Sequence, residues 1–247
     1  MQRRGVVVSL TLAPVVFAQR VRTQPGRKVY RIGTLSFGGI RTGQTGTGPP
    51  VQSLARPGGN ITGMRLQSTE TIGKRLELLK ELVPGVAPVA VLWYRAEPAH
   101  WQAAQAAARA RRWKLLSLEV RGVGEIDAAL KAAMDAGAGA LLVLGGGVFF
   151  AHARRIAELA ARQRLPSMFA LRPLVEAGGL MSHGADLNDI WRRAATFVDK
   201  ILRGAKPGDL PVEQPTRFEV MINLKTARAI GLTIPQSLLL RADEVIQ

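Results

Sequence analysis

The chain has 247 residues, 47% of them hydrophobic, so it can bury the core of one large domain or two small ones. It contains no cysteine, which excludes disulfides, thiolate metal sites, cysteine nucleophiles and a lipid-modified N-terminal cysteine. The net charge is +16, but the basic residues are spread along the sequence and few aromatic residues lie among them. A distributed basic surface is therefore predicted, and a nucleic-acid partner is not.

The N-terminus has the pattern of a secretory signal. A pair of arginines precedes an apolar stretch over 5–17, and Val16 and Ala18 are small residues at the two positions that a signal peptidase reads. The apolar stretch is too short to span a membrane as a helix. We expect removal of 1–18 on export to the periplasm, by the general or the twin-arginine route, and a disordered leader over 19–28. The alternative is a buried N-terminal strand.

The following segments predict the start of an α/β lobe. A strand is predicted over 29–36, then a glycine-rich loop over 37–50 and a short helix over 51–56 that Pro57 must end. A longer helix is predicted from Ser68, because apolar residues recur every three or four positions after it.

Four apolar runs between 86 and 170 begin 25 to 27 residues apart. They start at Val89, Leu115, Ala140 and Ser167. This spacing fits a strand, a helix and two short connections, and the runs are apolar on both faces. The block predicts a parallel sheet with helices on both faces, whose functional edge lies at the carboxyl ends of the strands.

The C-terminal third predicts one long helix and a short strand–helix pair. The helix is predicted over 186–204, with Asp186 suited to its N-cap and Gly204 just past its end. Beyond a proline-marked connector, a strand over 218–223 and a short helix over 225–230 are predicted.

The motifs of catalysis are missing from the sequence. Gly145–Gly147 follows a strand and precedes a helix, but it lacks the spacing of nucleotide-binding loops, so a tight turn that lets a small ligand approach the backbone is favoured over a phosphate site. The three histidines form no metal-spaced pair, and no serine elbow or paired carboxylates accompany them. His183 is predicted just beyond the end of a strand over 180–182. At that position it either contacts a ligand or is an ordinary polar residue at the rim.

Six of the thirteen aromatic residues fall at or just after predicted strand ends. They are Phe37, Trp93, Tyr94, Phe149, Phe150 and Phe169. Together they indicate a cleft for a flat or amphipathic small molecule, and the alternative is that they fill the core.

Four segments, taken in order, carry a family resemblance. They are SLARPGGNITG at 53–63, GKRLELLKE at 73–81, EAGGLMS at 176–182 and DLPVEQPTRF at 209–218. These segments resemble the substrate-binding proteins of ABC transporters of the tryptophan/tyrosine-binding type. Such proteins are similar to type I periplasmic binding proteins, in which two α/β lobes joined by crossover strands close on a ligand and dock on a membrane permease.

The resemblance implies how the chain divides. A truncated N-terminal lobe over 29–63 would be completed by the helix at 186–204, and a C-terminal α/β lobe would comprise 64–184 and 207–247. The glycine-rich run at 38–50 stands where the family has several further strand–helix units. The expected fold class is therefore a two-lobe, type I periplasmic-binding-protein-like α/β fold with an incomplete N-terminal lobe.

Ligand-binding residues are carried over by position from the same resemblance. They are Ser36, Phe37, Trp93, Tyr94, Gly146, Val148, Phe149, Phe169, Ala170 and His183. At Tyr94-Arg95 and at the glycine run, relatives usually have Asn-Pro and Asp-Pro type turns, so the rim of the second lobe is expected to differ from theirs.

The function that the resemblance implies is that of the solute-binding component of an ABC importer. It would close on a small organic solute in an interlobe cleft by a hinge motion, without bond chemistry, metal or cofactor. An amino acid or an aromatic compound is the candidate solute, and an ABC permease is the expected partner. Two alternatives stay open: an α/β enzyme that binds a phosphorylated substrate at Gly145–Gly147, and a truncated paralogue that binds nothing.

Overall fold

The computed structural model describes residues 53–66 and 69–247. Predictions for the first 52 residues, among them the signal, the leader and the ligand contacts of Ser36 and Phe37, lie outside the described residues. The chain divides into two units. The larger comprises Leu66–Leu187 and Thr216–Gln247, and the smaller comprises Asn188–Pro215 together with the described residues 53–65.

The larger unit is built from one sheet and the helices that cover it. Its strands are β1 (Val89–Tyr94), β2 (Leu115–Val120), β3 (Ala140–Val143), β4 (Ser167–Phe169), β5 (Met181–Ala185), β6 (Phe218–Asn223) and β7 (Glu244–Ile246). Its helices are α1 (Ile72–Leu82), α2 (Pro98–Ala110), α3 (Ile126–Asp135), α4 (Gly147–Ala151), α5 (Ala153–Arg162), α6 (Arg172–Glu176), α8 (Leu224–Ile230) and α9 (Gln236–Leu239). The first four strands begin at the predicted residues.

The seven strands pair in the order β2-β1-β3-β4-β5-β6-β7. The pairs from β2 to β5 are all parallel, β6 is antiparallel to β5, and β7 is parallel to β6. The predicted parallel α/β sheet is thus confirmed for β1–β5, and β6 and β7 run in the opposite direction. The carboxyl ends of β1–β5 and the start of β6 therefore share one side of the sheet, which we call the carboxyl edge.

Both faces of the sheet are buried under helices. Successive strand residues point to opposite faces, so Leu142 packs in a cluster with Leu76 of α1, while Leu141 packs in a second cluster with Ile156 of α5. All four side chains are almost fully buried. Burial on both sides explains why the strands read as continuous apolar runs rather than as alternating ones.

Local signals mark both ends of α8, which lies where the sequence predicts a short helix over 225–230. The side chain of Asn223 accepts a hydrogen bond from the backbone N–H of Thr226 (3.0 Å) at the start of α8. Gly231 follows the helix with a φ of 73°, a left-handed conformation that glycine adopts without strain.

The smaller unit contains α7 (Leu187–Leu202), the helix that was predicted over 186–204. Ile190 and Phe197 are its buried residues, whereas Trp191 is 40% exposed. Arg193 on the inner side of α7 forms an ion pair with Glu213 and donates a hydrogen bond to the carbonyl oxygen of Gln214 (3.2 Å). The assignment of this helix to an N-terminal lobe stays a prediction.

The segments 53–65 and 208–213 lie side by side in the smaller unit. The N–H of Val212 donates to the carbonyl oxygen of Leu54 (2.7 Å), and the N–H of Glu213 donates to that of Gly63 (2.9 Å). The helix predicted over 51–56 is therefore wrong for its described part, residues 53–56, which form bends. The carbonyl oxygen of Leu54 accepts from the distant Val212, the N–H of Arg56 donates to the hydroxyl of Ser53 (2.9 Å), and Pro57 follows immediately.

Candidate functional site

Eight of the ten predicted ligand-binding residues lie among the described residues, and the sheet brings them to the carboxyl edge. They are Trp93 and Tyr94 at the end of β1, Gly146, Val148 and Phe149 after β3, Phe169 and Ala170 at the end of β4, and His183 on β5. Loops at the carboxyl ends of parallel strands are the usual ligand-binding region of such sheets.

The end of β1 presents one packed and one partly exposed aromatic side chain. The Trp93 ring stacks on that of Trp101, with 5.8 Å between centroids and 7° between planes, and its Nε1 donates to the hydroxyl of Ser117 (2.8 Å). Tyr94, the last residue of β1, is half-buried. Trp93 is thus fixed by its neighbours, whereas Tyr94 has free surface at the edge.

A buried carboxylate lies between the ends of β1 and β3. Glu97 precedes the first residue of α2, and its Oε2 lies 3.2 Å from Nδ1 of His100. Gly146 has a φ of 152°, and a Cβ at that position would lie 3.0 Å from Glu97 Oε2. The glycine therefore leaves room for this carboxylate, which our sequence analysis did not single out. The sequence signal that could have identified Glu97 is its position: it lies three residues after the end of β1 and directly before the proline that begins α2.

The aromatic residues after β3 and β4 lie inside the core. Phe149 is in α4 rather than in an open loop and is 1% exposed, and Phe169 at the end of β4 is fully buried. Both pack in the cluster formed with α3 and α5. Val148 and Phe150 are half-buried against the same cluster. A direct ligand contact of Phe149 and Phe169 stays a prediction, and in this structure both serve the core.

A buried arginine ties together the ends of β4 and β5. Arg75 of α1 is 2% exposed, and its Nε donates to the carbonyl oxygen of His183 (2.7 Å). Its Nη2 lies 3.5 Å from the carbonyl oxygen of Ala170. Burial lowers the pKa of the Arg75 guanidinium to about 10, so the group still carries its charge at neutral pH. Arg75 thus fixes two predicted rim residues through their backbone.

The sequence predicts His183 just beyond the end of a strand. In the structure it lies within β5 instead. The strand continues to Ala185 because its pairing with β6 extends to Phe218. The imidazole of His183 stacks on the ring of Phe218, with 6.2 Å between centroids. Burial, followed by the charges of Arg75 and Lys74, lowers the pKa of His183 to about 4, so the ring is neutral at physiological pH.

A cleft of about 300 Å³ opens beside β5 and β6 within the larger unit. It is lined by Asp186, Thr216, Arg217, Phe218, Glu219 and Asp243. Burial and the nearby carboxylate of Asp186 raise the pKa of Glu219, and the guanidinium of Arg172 opposes the rise. The cleft thus combines carboxylates with one aromatic ring, although the chain as a whole is strongly basic.

The carboxyl edge offers carboxylates, aromatic rings and backbone groups to a ligand. In the part of the chain that the structure describes, no group of three or more histidine, aspartate or glutamate side chains is arranged to hold a metal ion. None of the helices within 53–66 and 69–247 is both long and apolar enough to cross a bilayer. The chemistry of this edge is suited to holding a small polar or amphipathic molecule.

A sequence model of one protein family, described as ABC transporter substrate binding protein, matches residues 48–246. The chain belongs to that family. The resemblance seen in the sequence is thereby confirmed, and so is the α/β, type I periplasmic-binding-protein-like fold class that it implied.

This ABC transporter substrate-binding protein is similar to a curated relative and to several solved structures. The tyrosine-binding protein of Clostridioides difficile (strain R20291) is 23% identical over 185 residues, which cover 74% of this chain and 53% of the relative. The chain therefore spans about half the length of that relative.

Three solved structures share the fold. A conserved domain protein from Vibrio cholerae has a TM-score of 0.72 at 26% identity, over 79% of this chain and 66% of the other. An ABC domain in complex with L-Trp from Streptococcus pneumoniae has a TM-score of 0.69 at 26% identity, over 79% and 68%. A ligand-free, open substrate-binding protein with adhesive properties from Clostridium difficile has a TM-score of 0.60 at 20% identity, over 80% and 66%, and supports the fold alone.

Proposed function

We propose that this chain is the solute-binding component of an ABC importer. It is exported to the periplasm, binds an amino acid with an aromatic side chain at the carboxyl edge, and delivers it to an ABC permease. No bond is made or broken. The observation that carries this proposal is the family match over 48–246, which spans the whole of the sheet.

The class of solute is proposed from the relatives and from the chemistry of the edge. One relative is described as tyrosine-binding, and one solved structure contains L-Trp. Glu219 and Phe218 line one cleft at this edge, and Glu97 lies three residues after Tyr94, the last residue of β1. An amino acid that carries an ammonium group and an aromatic ring is complementary to such a surface.

Binding is proposed to proceed by closure of two lobes around the solute, as the resemblance implies. The loops after β1, β3, β4 and β5 hold the ligand in this mechanism, and closure removes it from water. Reopening at the permease releases it. The N-terminal lobe of this chain is expected to be short, so its affinity is expected to be lower than that of full-length relatives.

The alternative of a phosphorylated substrate at Gly145–Gly147 gains no support from the local charge. The carboxylate of Glu97 faces Gly146, and it would repel a phosphate group that approached the same backbone. The helix after the glycines, α4, has only five residues, so it offers a weak dipole for an anion.

Isothermal titration of the full chain with L-tyrosine and L-tryptophan tests the proposal. Saturable heat with a stoichiometry of one is expected, and D-glucose serves as the control solute that should give none. Absence of heat from either amino acid, on protein whose circular dichroism shows it to be folded, would favour the non-binding paralogue. Thermal stabilisation by nucleotides or inorganic phosphate would favour the enzyme.

A further inference from the structure

Basic residues gather on the side of the sheet opposite to the carboxyl edge, which we call the amino edge. The strands β2, β1, β3 and β4 begin level with one another there, because the first residues of neighbouring strands pair. Two of the four turns at this edge, together with the helix ends before them, contain six basic residues and no acidic residue. They are Arg109, Arg111, Arg112 and Lys114 before β2, and Arg162 and Arg164 before β4. The two turns between them, 83–88 and 136–139, contain no charged residue.

Most of these basic side chains are not engaged within the protein. Arg111 is paired with Glu77. The other five are exposed, and within 53–66 and 69–247 their side chains form neither an ion pair nor a hydrogen bond. At the carboxyl edge, by contrast, Arg95, Arg155 and Arg172 each pair with a carboxylate. The charges of the amino edge are therefore available to an external anion.

Two of these arginines take a backbone conformation that glycine normally supplies. The helices α2, α3, α5 and α8 all end in the same turn, in which an N–H bonds to the carbonyl oxygen five residues earlier. The left-handed residue of this turn is Gly137 after α3 and Gly231 after α8, but it is Arg112 (φ 54°) after α2 and Arg164 (φ 51°) after α5. That conformation is unfavourable for a residue with a side chain. Its use at both basic turns indicates a role other than stability.

Both basic turns are fixed to the core. The N–H of Trp113 donates to the carbonyl oxygen of Ala108 (3.0 Å), and that of the buried Leu165 donates to Ala160 (2.9 Å). The Trp113 ring packs against the core cluster, and the ammonium group of Lys80 lies 5.8 Å from its centroid. Three strand spacings separate the turns, a distance of about 14 Å. This layout suits a broad anionic surface better than one small anion.

We propose that the amino edge of the larger unit binds the surface of a bilayer that contains anionic phospholipids. Lipid headgroups move freely in the plane of the membrane, so their phosphates can meet cations on two separate turns without a fixed spacing. A nucleic acid is less well matched, because Trp113 is half-buried beside Lys80 and Arg111 rather than presented to stack on a base.

This inference goes beyond the proposed function and does not depend on solute binding. Binding to the bilayer would concentrate the protein at the membrane that holds the permease. The carboxyl edge lies at the other end of the strands, about 20 Å away for a strand of six residues such as β1, so it stays accessible to a solute.

Sedimentation of the full chain with lipid vesicles tests the inference. One set of vesicles contains phosphatidylglycerol and phosphatidylcholine in equal parts, and the other contains phosphatidylcholine alone. Arg112→Gly combined with Arg164→Gly removes two charges and places glycine at both left-handed positions, so this double variant should fold as stably as the wild-type protein. Arg121→Gln combined with Arg154→Gln is the matched control, because it removes the same charge from exposed residues near the carboxyl edge.

A basic residue close to an anionic bilayer contributes about fivefold to the affinity, so the glycine double variant should bind the mixed vesicles about 30-fold more weakly than the wild-type protein. The control should bind within about twofold of the wild-type protein, because its charges lie more than two Debye lengths from the amino edge. Arg112→Lys combined with Arg164→Lys keeps the charge and should retain most of the affinity. All proteins should bind phosphatidylcholine vesicles far more weakly than the mixed vesicles.

Three results would overturn the inference. The first is that the wild-type protein does not bind the mixed vesicles, or binds both kinds of vesicle equally. The second is that the glycine double variant and the control bind equally well, since residues 1–52 are identical in all the proteins and cannot produce a difference. The third is tighter binding to duplex DNA than to mixed vesicles, which would assign the amino edge to a nucleic acid. Calorimetry with L-tyrosine tests the proposed function separately, so either can fail while the other stands.

Discussion

Replacing Gly184 with alanine is expected to destabilise the larger unit, although glycine-to-alanine changes at ordinary backbone angles usually stabilise. Gly184 lies in β5 without a positive φ, so alanine alone would gain about 0.4–1 kcal/mol from the lower entropy of the unfolded chain. A Cβ at 184, however, would lie 1.9 Å from the carbonyl oxygen of Ala170. A Cβ atom essentially never lies within 3.0 Å of such a neighbour, so β4 and β5 must separate locally by about 1 Å. Overpacking costs about 1–3 kcal/mol, and a contact this close to a backbone oxygen takes the upper end, so the net loss is about 2 kcal/mol.

Urea unfolding followed by circular dichroism measures this loss, and a Tm lower by about 4–8 °C should accompany it. Gly122→Ala is the matched control, because Gly122 has an extended φ of −173° and no atom lies within 4 Å of its would-be Cβ. That variant is expected to keep or slightly raise the stability. Equal stabilities of the two variants would refute the close approach of β5 to the end of β4.

Two further predictions concern the groups behind the rim. Arg75→Met should change the free energy of unfolding by less than about 2 kcal/mol, because relief of the buried charge offsets the lost hydrogen bonds. The same substitution should weaken L-tyrosine binding several-fold, because the carbonyl group of Ala170 is no longer held by the guanidinium. Urea unfolding and calorimetry measure the two quantities, and unchanged affinity would contradict a positioning role. The pKa of His183 is lowered to about 4 in the folded state, so the unfolded chain binds the extra proton first and stability falls as the pH drops from about 6.5 to 4. The loss in the free energy of unfolding is about 2 kcal/mol after allowance for solvent screening, and it should be absent in His183→Asn. Urea unfolding at several pH values measures it. If the stability of His183→Asn falls with pH in parallel with that of the wild-type protein, His183 is not the cause.

The strands that could be predicted are those whose residues are buried on both sides. β1 and β3 are continuous apolar runs because helices cover both of their faces, and their starts follow directly from the sequence. The direction of β6 and the presence of β7 were not predictable in the same way. β7 has only three residues and begins with the exposed Glu244, so its pairing with β6 depends on a distant segment rather than on its own pattern.

The candidate site was predictable as a region but not as a set of side chains. Parallel strands bring their carboxyl ends together, so the strand spacing predicted the edge, and the family resemblance assigned Tyr94, Gly146 and Ala170 to it. The burial of Arg75 could not be read from α1, because a charged residue beside an apolar helical stripe ordinarily faces water. Its role emerges only when two strand-end carbonyl oxygens require a donor. The same holds for Glu97, whose enclosure depends on the glycine turn of another strand.

The charge of the chain and the charge of the candidate site have opposite signs, and the difference has a physical consequence for the orientation of a ligand. Basic side chains on the outer helices, such as Arg111 and Arg155, are paired with Glu77 and Asp127 at the surface, where salt and water screen them. At the carboxyl edge, Glu97 is screened far less because it is largely buried. An amino acid is neutral overall, so the distributed basic surface gives it no net attraction, but a local carboxylate attracts its ammonium end and repels its carboxylate end. For the amino-acid solute proposed above, the carboxylates that line the cleft beside β5 and β6 would favour an orientation with the ammonium group towards them and the carboxylate of the solute directed away.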